Sequence, residues 1–452
     1  MNRPTAQDKP LESSATRYPG SLSKNYKWYV VGMLWMVSFF NYADRQAVSA
    51  LLPLLQKEMG LDLVQLGLLT AAFAWVYGLS SPFSGNIADR VKRKLAVLGG
   101  LQIWSVICGV TALVRSFPQL LFFRGAIGLG ESIYFPAAMS LVSDYHGRRT
   151  RSFAMGFHQT SVYIGTIGGS FFAGLIGQYY GWRCSFIAFG ILGLLLGVVL
   201  RKFLVEPRRG AADLEDLGES APPQPAARMS TAQFLKVVWG TPTVLLLMGA
   251  FMCSNFVALV LLAWMPKFLY DKFQLSLAMA GLTATLYVQL ASMVGSPLGG
   301  WLADRWRRRL TGGRIAVQAV GVICGAPFVL LCGQTQSVYW LVVALAAWGL
   351  FKGFYDASIF ASVYDVIEPE ARGTAAGFIN CIGWLAGGGT APVVIGYIAE
   401  HSNLSFAISM TAVVYLIAGA LLLCAILFTV RRDAARMEAH LTASRAVGTR
   451  ST

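Results

Sequence analysis

GNIADRVKRK (85–94) returns in the second half of the chain as GWLADRWRRR (300–309), at an offset of 215. Both stretches fit Gly-x3-Asp-Arg-x2-Arg-[Lys/Arg], and each directly follows a long apolar run. A second pair, DYHGRRTRSFAMGF (144–157) and DVIEPEARGTAAGF (365–378), fits Asp-x6-Arg-x4-Gly-Phe at an offset of 221. Two unrelated motifs repeated at nearly one offset require two homologous halves. Around them lie twelve apolar runs: 27–53, 62–88, 95–114, 118–143, 151–178 and 182–200, then 241–269, 277–303, 314–333, 336–363, 373–399 and 402–429. The expected fold is therefore an all-α membrane protein of twelve transmembrane helices in two pseudo-symmetric six-helix halves. Its segments are 1–26, 27–200, a charged Pro- and Ala-rich linker at 201–240, 241–429, and a tail at 430–452.

Composition agrees. The 452 residues are 55% hydrophobic and 13% charged, with mean hydropathy +0.56, against roughly 25% charged residues in soluble proteins. Each run meets the roughly 20 residues a helix needs to span a bilayer. A barrel would show short strands of alternating polarity instead. The net charge of +15 reads as topology and not as nucleic-acid binding. With both termini in the cytoplasm, 29 of the 37 Lys and Arg fall in inside segments. The outside loops hold Lys57, Arg115, Arg183, Lys267 and Lys272. That asymmetry predicts an N-in, C-in, multi-pass protein of the cell membrane. Seven cysteines in apolar runs, without metal-ligand spacing, read as core residues, with no disulfide framework and no metal. The polar stretch ahead of the first span offers no cleavable leader.

Doubled motifs, twelve spans and a central linker resemble the major facilitator superfamily of secondary transporters over about residues 25–430. In that family the loop after helix 2 latches the two halves on the cytoplasmic side in the outward-open state. The resemblance assigns this role to Gly85, Asp89, Arg90, Arg93 and Lys94, with Gly300, Asp304, Arg305 and Arg308 in the second copy. Asp144, Arg151, Asp365 and Arg372, from the second repeated motif, are expected to complete the latch. NYADR (41–45) and RGAIGLGESIYFP (124–136) look like the anion:cation symporters that move sugar acids with protons. The same stretches, with EPRRG (206–210), are also similar to spinster-type lipid transporters. The polar second half, 353–384, favours the small organic anion.

Charges inside a bilayer are costly and mark function. Asp44 and Arg45 are adjacent, so they point about 100° apart on a helix and need separate partners. The symporter resemblance implies that Arg45 binds a substrate carboxylate and that Asp44 and Glu131 carry protons. A guanidinium fork suits a carboxylate. The residue-level alternative is a buried structural pair, Arg45 with Glu131 or Arg124 with Asp44. Arg124 either snorkels near a helix end or joins the site. Lys352 is the repeat mate of Glu131, and Tyr355 that of Tyr134. Asp356, one helical turn after Lys352, can pair with it along the helix. Tyr42, Tyr77, Gln159, Asn255, Gln289, Asn380 and Trp384 complete the expected binding residues. His158 reads as a core histidine or a titrating group. GTIGG (165–169) and GWLAGGG (383–389) should allow close packing and bending.

No Gly-x4-Gly-Lys-[Ser/Thr] loop, His-Glu-x2-His or Gly-x-Ser-x-Gly motif occurs, so the expectation is neither an ATP-driven pump nor an enzyme, and no cofactor beyond the proton as coupling ion. The reading is a proton-coupled symporter of a small organic anion, acting as a monomer in the lipid bilayer by alternating access. The alternatives are a spinster-like lysolipid transporter and a transporter-fold sensor without flux.

Overall fold

A computed structural model describes residues 25–147, 150–207, 236–368 and 371–448, with the side chains of 85–90, 152, 372–373 and 440–448 left aside. Most of the 1–26 segment and of the linker therefore lies outside the described residues. So do the side chains of Gly85, Asp89, Arg90 and Arg372.

The described chain is helical, with no strand among the described residues. The first half comprises α1 (Tyr26–Met59), α2 (Leu63–Arg90), α3 (Arg93–Thr111), α4 (Phe117–Tyr145), α5 (Arg151–Tyr180) and α6 (Trp182–Phe203). The second comprises α7 (Pro242–Phe273), α8 (Leu277–Arg307), α9 (Gly313–Gln334), α10 (Val338–Tyr364), α11 (Arg372–Ile382 continuing to His401) and α12 (Leu404–Cys424). Among the described residues, eleven helices are long and apolar enough to cross a membrane by length and composition. α1 is not one of them, although its 34 residues would span roughly 51 Å at 1.5 Å per residue. Its middle carries Asn41, Asp44, Arg45 and Gln46, and that polar cargo is what sets it apart.

Local signals place the ends. Gly60 closes α1 at φ 65°, a left-handed position that suits glycine. Ser276 and Asn403 cap α8 and α12 by accepting from the Met279 and Phe406 amides at 3.3 and 2.8 Å. Large apolar side chains such as Phe122, Val198 and Leu427 face outward at 63–70% exposure. That surface belongs in lipid.

Several spans depart from simple helices. α4 is interrupted between Ser132 and Tyr134, where Pro136 has no N–H to give the Ser132 carbonyl. α10 is interrupted between Asp356 and Ile359. α11 carries a π-helical turn at Gly383–Gly388, and α12 runs through a second one, Ala425–Thr429, into the helix Val430–Gly448. Residues expected as a tail thus extend the last span.

The cysteines correct another expectation. Cys108, Cys253 and Cys332 are buried, but Cys184, Cys324 and Cys424 are exposed and Cys381 is half-buried. Being apolar, they sit as easily against lipid as in the core.

Within each half, α1 packs on α5, α2 on α4 and α3 on α6; α7 packs on α12, α8 on α10 and α9 on α12. Between halves, α5 meets α8, α2 meets α11 and α1 meets α7. These three seams surround the centre of the molecule.

Candidate functional site

α5 sets the position of α1. A Cβ on Gly165 would lie 2.6 Å from the Phe39 carbonyl oxygen, and one on Gly169 would lie 2.3 Å from the Ala43 Cα. Two glycines one turn apart thus let the backbones touch immediately before Asp44 and Arg45.

The two charged neighbours then diverge. Arg45 turns toward a central cavity of about 290 Å³. Its Nε donates to Glu131 Oε2 on α4 at 2.6 Å. Its guanidinium lies over the rings of Tyr42, Phe73 and Tyr77 at 4.5–4.9 Å and near Trp384 at 5.8 Å. Asp44 turns the other way, 3% exposed, with Cys108 Sγ of α3 at 3.8 Å from Oδ1. It does not line the cavity, and neither does Glu131, which is fully buried behind Arg45.

Arg124 does not snorkel. It is 5% exposed, donates from Nη2 to the Arg45 carbonyl at 3.0 Å, and lies over Phe73 at 4.8 Å. It reaches the cavity wall. Arg45 Nη1 and Arg124 Nε and Nη1 are buried without a hydrogen-bond partner. Buried donors carry a cost unless paired; these N–H groups stand behind the cavity surface, and the rest of the two side chains lines it.

The second half supplies Asn255, Gln289, Lys352, Tyr355, Asp356 and Trp384, opposite Tyr42 and Gln159 of the first. Lys352 Nζ and Asp356 Oδ2 form the expected ion pair along α10. Trp384 sits on the π-turn, its ring 5.2 Å from that of Tyr77. Gly383 and Gly387 let this turn lie directly against α7, because a Cβ there would strike the Phe251 ring or the Met252 carbonyl.

Other expected residues lie off the cavity. Tyr77 forms the layer behind Arg45. Asn380 is half-buried on α11 and does not line the wall. Tyr134 is fully buried, and its hydroxyl donates to the Leu34 carbonyl at 2.6 Å and accepts from His158 Nε2 at 2.8 Å. Tyr134 and His158 thus tie α4 to α1 and α5. The sequence reading missed Phe73, Tyr163 and Tyr415, which line the cavity. Phe73 lies one turn before Tyr77 and Tyr163 one turn after Gln159, so helical spacing could have found both. Tyr415 offered no such signal.

Among the described residues, the motif's ion pairs at the termini face lie within each half. Arg93 on α3 pairs with Asp144 at the end of α4. In the second half, Asp365 is held by Arg314 and Arg307, both at 2.9 Å, and Arg314 also holds Asp304 at 2.8 Å. Arg308, the motif's counterpart of Arg93, does not make this pair, and Arg305 lies near the Trp301 ring at 5.7 Å. Arg314 is the true mate, because 93 plus 221 is 314. The difference between the two repeat offsets, 221 against 215, is an insertion between Arg308 and Arg314, and it was the overlooked signal. Arg151 Nε donates to the His146 carbonyl at 3.0 Å, and Lys94 Nζ to the Arg201 carbonyl at 2.9 Å. Glu206 accepts from the Arg93 and Lys94 amides at 2.9 and 2.6 Å, capping α3. A Cβ on Gly300 would meet only the Ala357 methyl, at 3.9 Å.

At the opposite face the halves meet closely. Gln46 Nε2 donates to the Leu262 carbonyl at 2.7 Å, the Leu63 amide to Glu400 at 3.0 Å, and Lys267 Nζ to Gln56 at 2.5 Å. Gly67 and Gly396 bring α2 and α11 into backbone contact, as Gly174 and Gly281 do for α5 and α8. The end away from the termini is closed.

Two six-helix halves enclosing a charged, partly polar cavity and sealed at one end define a secondary transporter, an integral multi-pass membrane protein and not an enzyme. Residues 34–288 and 266–446 match the Major Facilitator Superfamily, and the chain belongs to it. It is 27% identical over 405 residues to the probable galactarate/D-glucarate transporter GudP of Bacillus subtilis (strain 168), covering 85% of this chain and 88% of that one. It is 24% identical to the hexuronate transporter of the same organism, covering 83% and 88%. Against the "probable anion transporter 1, chloroplastic" of Oryza sativa subsp. japonica it is 28% identical, covering 91% and 79%. The fold is shared with a bacterial homologue of the human lysosomal transporter Spinster in an inward-facing, unoccupied conformation. There the TM-score is 0.80 at 21% identity, over 91% of this chain and 99% of that one.

Proposed function

We propose that the protein is a proton-coupled symporter of a small organic anion, a sugar acid or similar carboxylate. It works as a monomer in the cell membrane with both termini in the cytoplasm. The observation that carries this reading is Arg45. Its side chain lines the cavity while its Nε is held by a carboxylate that has no access to the cavity. The named substrates of the relatives, galactarate, glucarate, hexuronate and other anions, support the same class. A cavity of about 290 Å³ lies at the lower edge of the roughly 300–1,000 Å³ of small-molecule sites, which favours such a solute over a lipid.

Coupling follows from charge balance. Asp44, Arg45, Arg124 and Glu131 sum to zero, and Asp44 lies within electrostatic reach of Glu131 and Arg124. A substrate carboxylate that takes the fork of Arg45 leaves Glu131 buried and unpaired, at a cost of several kcal/mol. Protonation of Glu131 removes that cost. Anion and proton therefore enter together, and Asp44 responds through Arg124. With the termini in the cytoplasm, the closed end is the outside, which is the seal an inward-open state needs.

The test uses purified protein in liposomes holding a pH-sensitive dye. Addition of aldonates, hexuronates or simple carboxylates should acidify the lumen, and Glu131→Gln should abolish the signal. Absence of acidification by folded wild-type protein overturns proton–anion symport.

A further inference from the structure

Among the described residues, each half sets one ion pair at the cavity, and in the first half only the arginine reaches the wall. In the first half it is Arg45 of α1 with Glu131 of α4; in the second it is Lys352 with Asp356, both on α10. Lys352 is the repeat mate of Glu131 at the offset of the second motif. Both spans are interrupted just past these residues, at Ile133 and at Ala357–Ser358. The pairs differ in access. Glu131 is shut away, whereas the Lys352 and Asp356 side chains line the cavity at 17% and 34% exposure. A lysine and an aspartate in a bilayer-depth cavity are not needed to neutralise anything else. Asn255 of α7, Gln289 of α8 and Trp384 of α11, the lining groups nearest in kind, are neutral. Gln318 of α9, behind α10, is spent on Ser358 and Ser362 at 3.2 and 2.9 Å. The titratable groups facing the pair are Tyr163 of α5 and Tyr415 of α12, with Tyr355 on α10 itself and the two arginines across the cavity.

Building on the organic-anion reading above, we infer that Lys352 and Asp356 form a second anion-and-proton subsite, so that the preferred substrate is a dicarboxylate held at both ends, one by each half. A proton from the medium adds to Asp356 Oδ2 and breaks its charge-assisted bond to Lys352 Nζ. The freed ammonium pairs with the second substrate carboxylate. One negative charge and one proton enter at each subsite, so the charge of the wall is unchanged, and a dicarboxylate moves with one more proton than its monocarboxylate analogue. Bridging the halves also gives the substrate a direct hold on both moving parts.

The experiment compares a six-carbon aldarate with the aldonate of the same stereochemistry, by calorimetry on the full chain and by flux reversal in liposomes. Wild type should bind the aldarate about tenfold tighter or better, the worth of one charged hydrogen bond. Lys352→Gln should lower that aldarate-to-aldonate ratio by about tenfold. The double variant Lys352→Gln/Asp356→Asn, which leaves no lone charge to threaten folding, should do the same. Asp356→Asn should lower the proton count per aldarate by one, read from the imposed pH gradient and voltage that stop net flux. An unchanged ratio in both Lys352 variants overturns the anion subsite. An unchanged proton count in Asp356→Asn overturns its proton. If neither acid binds wild type, the organic-anion reading itself falls, an outcome distinct from proton-coupled aldonate flux with an unresponsive ratio.

Discussion

Arg45 and Glu131 form a pair whose two members face different worlds, one the cavity and one the protein interior. The adjacency of Asp44 and Arg45 was legible from the sequence, as was their divergence, since neighbours on a helix cannot share a partner. That Arg45 is the neighbour facing the cavity came from the family resemblance and not from the residues themselves, because helix rotation is set by Gly165 and Gly169 on another span. Glu131→Gln should keep anion exchange between equal pools, lose uphill accumulation, and lose the pH dependence of affinity. Counterflow and accumulation of labelled substrate check this, and surviving accumulation removes Glu131 from coupling. Arg45→Lys keeps the charge but gives up the planar fork and its stacking. Affinity should fall roughly 10- to 100-fold, the range of a hydrogen bond to a charged group, with folding intact. His146, outside the spans, makes a separate case. It is fully buried beside Trp28, its Nε2–H donates to the Lys27 carbonyl at 3.2 Å, and Thr150 lies 3.1 Å from Nδ1. Burial pushes its pKa down. The neutral ring is favoured when folded, so its stability contribution is full above the ordinary histidine pKa and declines as pH falls below it. Melting temperature should therefore drop from pH 7 toward 5, and less steeply in His146→Gln.

Elements were more legible in existence than in shape. Apolar length and repeat offsets marked twelve spans, because crossing a bilayer fixes both length and composition. The interruption of α4 was within reach, since Pro136 stands in the quoted motif. That of α10 has no proline, and it emerges only where Gln318 holds Ser358 and Ser362. The glycine run 383–389 suggested bending but not the π-turn that sets Trp384 against Tyr77. Close packing of α1 on α5 is the element-scale feature most open to test. Gly169→Val would drive a side chain into the Ala43 backbone. Overpacking of this kind costs about 1–3 kcal/mol or more. The variant should melt several degrees lower and lose anion binding by displacing Arg45. Gly156→Val, with open space where its Cβ would stand, is the matched control. Equal melting of the two variants would show that the seam does not hold Arg45 in place.

At the scale of the whole molecule the halves touch through glycine-lined backbones at one face, while at the other the described ion pairs of the charged loops lie each within its own half. Intra-half pairs such as Arg93–Asp144 and Arg314–Asp365 can persist through a rocking motion. The seams α2–α11 and α5–α8 cannot, because a Cβ on Gly67 would sit 2.4 Å from the Pro392 carbonyl oxygen and one on Gly174 2.7 Å from that of Leu277. Contacts this tight are made only in the closed state of that face, so a bulky residue there acts on one conformation alone. Gly67→Leu should therefore leave the protein folded but hold the face away from the termini open. Net uptake should disappear while anion binding from that side persists. A cysteine placed at Gln46, which lines the cavity and bonds across the seam, reports the change in a background freed of native cysteines. With Gly67 in place it should react slowly with an impermeant thiol reagent applied to the closed face, and quickly in Gly67→Leu. Slow labelling in a folded Gly67→Leu protein would mean that the seam opens elsewhere, and that α2 and α11 are hinge and not gate.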